Sequence, residues 1–242
     1  MSKTVVEPNA AAKTAAVSRK SKIDIRKIVS VAMLCAISYV VMFVSKQIPV
    51  SVAGFLNLDF KDVIIAIGGF ILGPLSAIFI SVFVSLIEMV TVSSTGPIGC
   101  LMNILSTCVF VAPASLIYRR KHQLSGAVLG LVFGVLIMTV VMILWNYLIT
   151  PLYMGVPRSV VEGMLIPVFL PYNLLKGGMN AALTVLLYKP IVGALRSAKL
   201  IAPSTSGAQP GAKAKVNMGV VLLALLVLAT CVLLVLVLAG II

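Results

Sequence analysis

The sequence predicts an all-α, polytopic transmembrane helix bundle, and three observations predict it. Of the 242 residues, 61% are apolar and 10% are charged, against about 45–50% and about 25% in soluble domains. Mean hydropathy is +1.18. The apolar residues are gathered into runs long enough to cross a ~30 Å hydrocarbon core as helices, and the basic residues flank those runs. The formal charge of +13 therefore reads as topology. It is not spread over a folded surface or interleaved with aromatics, as nucleic-acid binding would require. Six acids, a single histidine (His122) and four cysteines without a C-x-x-C pair argue against a disulfide scaffold, a zinc cluster and a soluble enzyme.

Residues 1–27 are polar and basic with little to bury, and are expected to be a disordered tail. The first apolar run, Ile28 to Val44, is read as the first helix. Val52-Ala53-Gly54 imitates a signal cleavage site, but the run exceeds the usual 7–15 residues, and the leader would be very long. KQIPVSVAGFLNLDFK, from Lys46 to Lys61, partly alternates polar and apolar residues, the pattern of a short extended segment in a structured loop. Asp62 to Val92 is apolar but interrupted at Gly73-Pro74. It is therefore read as two helices, 62–72 and 74–92. The polar turn SSTGPIG precedes a fourth helix over about 100–118, and Arg119-Arg120-Lys121-His122 leads to a fifth over about 124–148. After a polar loop, a sixth runs from about Pro167 to Tyr188. The bundle is taken as 28–192, a flexible linker as 193–217, and an extra transmembrane helix as 218–242.

Counting lysines and arginines on alternate sides gives the orientation. With the N-terminus cytoplasmic, fifteen of nineteen fall inside; only Lys46, Lys61, Arg158 and Lys176 fall in the outer half. The count works only if Gly73-Pro74 is an inside turn. Merging the second and third helices would place Arg119, Arg120 and Lys121 outside.

Polar groups at membrane depth are expensive, so each is a functional candidate. Lys176 and Asn173 share a helix face and can present an ammonium and an amide to one object. Lys176 reads equally as a residue that snorkels to the interface or pairs with Glu88. Asn146, between Trp145 and Tyr147, is either a ligand group or a helix-ending residue in an aromatic belt. Glu88 either meets a ligand or pairs with a cation. Asn103 and Asn180 read as interhelical bonds, and Asp59 and Asp62 as the cap and first-turn acid of the second helix. Ala32 and Ala36 form a small-x-x-x-small pair suited to close helix approach, ordinarily internal packing. Gly126, Gly130 and Gly134 make a longer run of the same kind. No P-loop, H-E-x-x-H or G-x-S-x-G motif is present.

NLDFKDVIIAIGGFILGPLSA at 57–77, STGPIGCLMNILS at 94–106 and LPYNLLKGGMNAALTVLLYKPI at 170–191 resemble the substrate-binding S components of energy-coupling factor (ECF) vitamin transporters, most closely the riboflavin-specific type. The resemblance covers about residues 28–192. It implies a six-helix, non-enzymatic binding subunit in the prokaryotic cytoplasmic membrane, with riboflavin as transported ligand and no cofactor. The implied flavin contacts are Asn146, Asn173 and Lys176. Phe55, Leu56 and Phe60 are expected to cover the rings, and Thr95, Gly96 and Pro97 to line the ribityl side, with Glu88 a further candidate. It also implies docking through Ala32 and Ala36 onto a transmembrane coupling protein that carries two cytoplasmic ATPases. The seventh helix departs from the family pattern. Alternatives are an S component for another vitamin and a self-sufficient secondary transporter, for which no convincing internal repeat is visible. Lys176 disfavours a cationic vitamin such as thiamine. A membrane-embedded enzyme lacks a nucleophile and base.

Overall fold

The structure is a computed structural model describing residues 25–47, 51–52, 56–93, 95–121, 123–198, 200 and 218–238. The expected tail before Ile25, most of the expected linker, Phe55 and the last four residues lie outside the described residues. The bundle begins with α1 (Ile25–Gln47), followed by two short strands, β1 (Ser51–Val52) and β2 (Leu56–Asn57). These pair antiparallel, Ser51 opposite Asn57 and Val52 opposite Leu56. The alternating segment of the sequence is thus a small hairpin above the bundle.

Next come α2 (Lys61–Leu72) and α3 (Pro74–Thr91), separated by Gly73 as the sequence predicts. Gly73 has φ 97° and donates its N–H to the Gly69 carbonyl at 2.9 Å. Glycine adopts that backbone without penalty, and Pro74 opens α3 where a missing N–H costs nothing. At 12 residues, α2 is only about 18 Å long. It lies inside the bundle, buried from Lys61 through Phe70, and packs on α1, α3, α4 and the seventh helix defined below. A helix with apolar residues on every side is stable only when enclosed in this way.

α4 (Gly96–Lys121) and α5 (Leu124–Met154) form the closest helix pair. Glycines permit that approach: a Cβ at Gly130 would stand 2.7 Å from the Ala114 carbonyl oxygen, and Gly134 faces that of Phe110. The fifth helix outruns its expected end at 148, passing Pro151 and stopping at Gly155, whose φ of 65° makes it a left-handed cap. The expected polar loop beyond is largely helical. α6 (Arg158–Met164) continues through a π-helical turn (Leu165–Phe169) into α7 (Leu170–Ser197). Pro167 and Pro171 lie in and just after this turn. Their missing donors break the regular hydrogen-bond ladder where the helix widens. α7 also runs on past Tyr188 to Ser197. The final helix, α8 (Met218–Leu238), packs chiefly on α7.

The core joins Leu34 of α1, Ile65 of α2, Ile80 and Val84 of α3, Phe110 of α4, and Leu131 and Met138 of α5. Among the described residues, six segments are long and apolar enough to span a membrane: α1, α3, α4, α5, continuous α6–α7, and α8. Arg26, Lys27, Arg119, Arg120, Lys121, Lys189 and Arg196 share one end of the bundle. The Gly73 turn is there too, against the Arg119 guanidinium, and Ser30 Oγ of α1 donates to the Leu200 carbonyl at 2.7 Å.

Candidate functional site

At the opposite end a pocket opens between β2, α3, α4, α5, the π-helical turn and α7. Its polar lining includes Lys46, Asn57, Asp59, Glu88, Thr95, Asn103, Ser106, Asn146, Thr150, Asn173 and Lys176; Leu56, Met102, Met142, Phe169, Tyr153 and Tyr172 supply apolar wall. The helix geometry explains the convergence. Phe169, Tyr172, Asn173 and Lys176 recur at three- and four-residue spacing along the inward face of the turn and α7, and Asn146 occupies the facing stretch of α5. π-helical turns often mark functional sites because the extra residue re-aims the side chains that follow.

Beside the pocket lies a buried ion cluster. Lys176 Nζ is 3.4 Å from Asp59 Oδ2, which is also 3.7 Å from Lys61 Nζ. Lys61 bonds Glu88 at 2.5 Å, and Lys46 reaches Glu88 at 2.6 Å. Asn103 Nδ2 donates to Glu88 at 3.1 Å, and Asn180 Nδ2 to the Asp59 carbonyl at 3.1 Å. Every charge thus has a partner, as burial demands. The Asp59 carboxyl lies in the loop before α2. Burial alone would push its pKa up, but the Lys176 and Lys61 ammonium groups outweigh that and hold it below its ordinary value. Its Oδ1 is buried and has no hydrogen-bond partner among the described residues.

The loop is fastened to α7 by Tyr172, whose hydroxyl donates to the Asn57 carbonyl at 2.7 Å. Asn146 and Asn173 are 3% and 1% exposed. Each amide donates back to its own helix, at Met142 O and Phe169 O (both 2.7 Å), and Asn146 Oδ1 accepts from Thr150 at 2.9 Å. Asn146 is therefore an inward residue, not a member of an interfacial belt.

Of the residues singled out from sequence, Asn146, Asn173, Lys176, Glu88, Thr95 and Leu56 line this pocket. Gly96 opens α4 with φ 61°, Pro97 is exposed, and Phe60 packs into the core beneath the loop; none of the three lines it. Phe55 lies outside the described residues. Two readings change. Lys176 pairs with Asp59, not with Glu88. Asp59 is no cap, since Phe60 holds the N-cap position of α2 without a side-chain bond and Asp59 faces lysines instead. Asp62 does occupy the first turn, accepting from Thr107 at 2.6 Å. Sequence reading missed Lys46, Lys61 and Asp59 as site neighbours. One signal was available: a lysine as the first residue of an apolar helix opposes the helix dipole and calls for a carboxylate. Ala32 and Ala36 are exposed on α1, so their pair is not used for internal packing.

The ECF transporter substrate-specific component model matches residues 26–188. The riboflavin transporter FmnP of Bacillus subtilis is 27% identical over 188 residues, covering 73% of this chain and 98% of that protein. The riboflavin transporter RibU of Staphylococcus aureus is 27% identical over 177 residues, covering 71% and 93%. A solved structure, described as that of the S component of a bacterial ECF transporter, superposes with a TM-score of 0.60 at 27% identity, covering 71% of this chain and 98% of that one. The match runs through α1 to most of α7 and leaves out α8. A membrane bundle with a polar pocket at one end, matched across that bundle, the chain belongs to the substrate-specific components of ECF transporters, multi-pass membrane proteins of solute uptake rather than enzymes.

Proposed function

We propose that this chain is a riboflavin-binding S component, capturing the vitamin in the pocket framed by Asn146, Asn173 and Lys176. The observation that carries the reading is the convergence of those three buried groups from α5 and α7 on one cavity, in a chain whose relatives include riboflavin transporters. The isoalloxazine edge offers carbonyl and ring-nitrogen acceptors and one N–H. An ammonium and two amides, which both donate and accept, suit that set. Met102, Met142 and Phe169 offer apolar and polarisable surface for the rings, and Thr95 and Asn57 offer partners for the ribityl hydroxyls.

The basic end is cytoplasmic by the positive-inside rule, so the pocket faces outward across the cell membrane, with the N-terminus inside. Release inward then requires partners. A transmembrane coupling protein docks on the exposed Ala32/Ala36 face of α1, and two cytoplasmic ATPases drive the cycle. The test is uptake of labelled riboflavin by cells without their own flavin importer, expressing this chain with or without a coupling protein and its ATPases. Uptake only with all partners present is expected. Uptake by this chain alone would favour a self-sufficient transporter.

A further inference from the structure

A second concavity lies away from the pocket, between α5, α7 and α8. Its walls are apolar: Val128, Val132 and Leu136 on α5, Val185 on α7, and Val220 and Leu223 on α8. The trough is deepened because Gly178 carries no side chain and Ala181, Ala182 and, opposite, Ala224 carry only a methyl group. The cause is packing: α8 leans on α7, with Cys231 Sγ 3.4 Å from where a Gly178 Cβ would stand, and leaves a trough between itself and α5. In a bilayer such a trough is filled by hydrocarbon, since an apolar void forfeits dispersion contacts.

The trough also has a polar terminus. At 100° per residue, positions 178, 182, 185 and 189 fall within about 60° of one another on α7. The stripe that floors the trough therefore runs directly to Lys189, and two turns further to Arg196. Both are exposed at the basic end, and Lys189 makes no ion pair among the described residues. Apolar trough and cation are thus stacked as the tail and headgroup of a lipid are. We propose that this groove binds one membrane phospholipid with an anionic headgroup, an acyl chain lying along α5, α7 and α8 and the phosphate at Lys189. The α8 wall lies outside the matched family region, so the site is built by this chain's additional helix. It does not depend on the identity of the transported vitamin.

The test uses the full chain in detergent, with dioleoyl phosphatidylglycerol and dioleoyl phosphatidylcholine added in equal amounts and retained lipid counted by native mass spectrometry. One phosphatidylglycerol per chain is expected, preferred by about fivefold or more for one cation near the phosphate. Lys189→Gln should abolish the preference while hydrocarbon binding persists. Val132→Trp, at a membrane-facing position, should fill the trough and remove retention of both lipids. Lys189 is exposed, so its variant keeps the test valid even if the tryptophan disturbs folding. Equal retention of the two lipids by the unaltered chain, or a preference unaffected by Lys189→Gln, would overturn the proposal.

Discussion

Lys61 and Lys176 share one carboxylate, Asp59, yet only Lys176 borders the pocket; Lys61 is fully buried behind it. The two should therefore fail differently. Lys176→Ala removes a charged donor from the site while Asp59 keeps Lys61. Riboflavin affinity should fall about 10- to 100-fold, the worth of a charge-assisted bond, with melting temperature little changed. Unchanged affinity in a fluorescence titration would take Lys176 out of the site. Lys61→Ala takes the fully buried cation from between Asp59 and Glu88, leaving the first to Lys176 and the second to the less buried Lys46. Breaking a buried pair costs up to about 3–5 kcal/mol, so thermal denaturation in detergent should show marked destabilisation. The pH dependence has a definite sign. The Asp59 pKa is lowered on folding by Lys176 and Lys61, against the upward push of burial. Its stabilising contribution is therefore complete above the unfolded value of about 3.9 and lost as pH falls through the lower folded one. Melting temperature should show no Asp59-dependent change between pH 5 and 8. Asp59→Asn should remove part of the decline seen below pH 4. Lys176, Asn146 and Asn173 were legible in the sequence because amides and ammonium groups stand out in apolar runs. Lys46, Lys61 and Asp59 were not, because charges at helix ends ordinarily meet water. The burial of Lys61 and Asp59 comes from α3 and α7, distant in sequence.

The spans of the helices were legible because the bilayer fixes their length and Gly73-Pro74 divides α2 from α3 chemically. The helix ends were less so. Pro151 suggested a stop but lies inside α5, which Gly155 terminates one turn later, and Pro190 likewise lies inside α7. Losing one N–H is tolerable where the rest of the helix is held by neighbours. The α4–α5 contact is a property of this scale. Gly130→Val would drive its Cβ, and two methyls beyond, into the Ala114 carbonyl, so the variant should be markedly less stable in a thermal melt, by about 1–3 kcal/mol or more. On α1, exposed Ala32 and Ala36 predict the converse. Replacing both by Trp should leave riboflavin binding and folding intact but abolish co-purification with the coupling protein. An intact complex would defeat docking through that face.

Across the whole molecule, charge divides the bundle. One end carries exposed arginines and lysines, and the other an ion cluster turned inward beside a pocket. The short α2 makes that pocket possible. By staying inside the bundle it brings Lys61 and the preceding Asp59 against α3 and α7, while the hairpin supplies Leu56 and Asn57 at the mouth. The shortness of 62–72 already marked it as a helix tilted or packed within the bundle; the ion cluster it brings together could not be read from hydropathy, which sees apolar length but not which side chains meet. α8 adds a span beyond the family match without adding to the pocket lining. The most direct test of the account is to titrate the purified chain with riboflavin, following flavin fluorescence, with thiamine and biotin as controls. Saturable quenching at one flavin per chain, indifferent to both controls, is the result expected. A folded preparation that leaves riboflavin fluorescence unquenched, or that binds thiamine or biotin in its place, would contradict it.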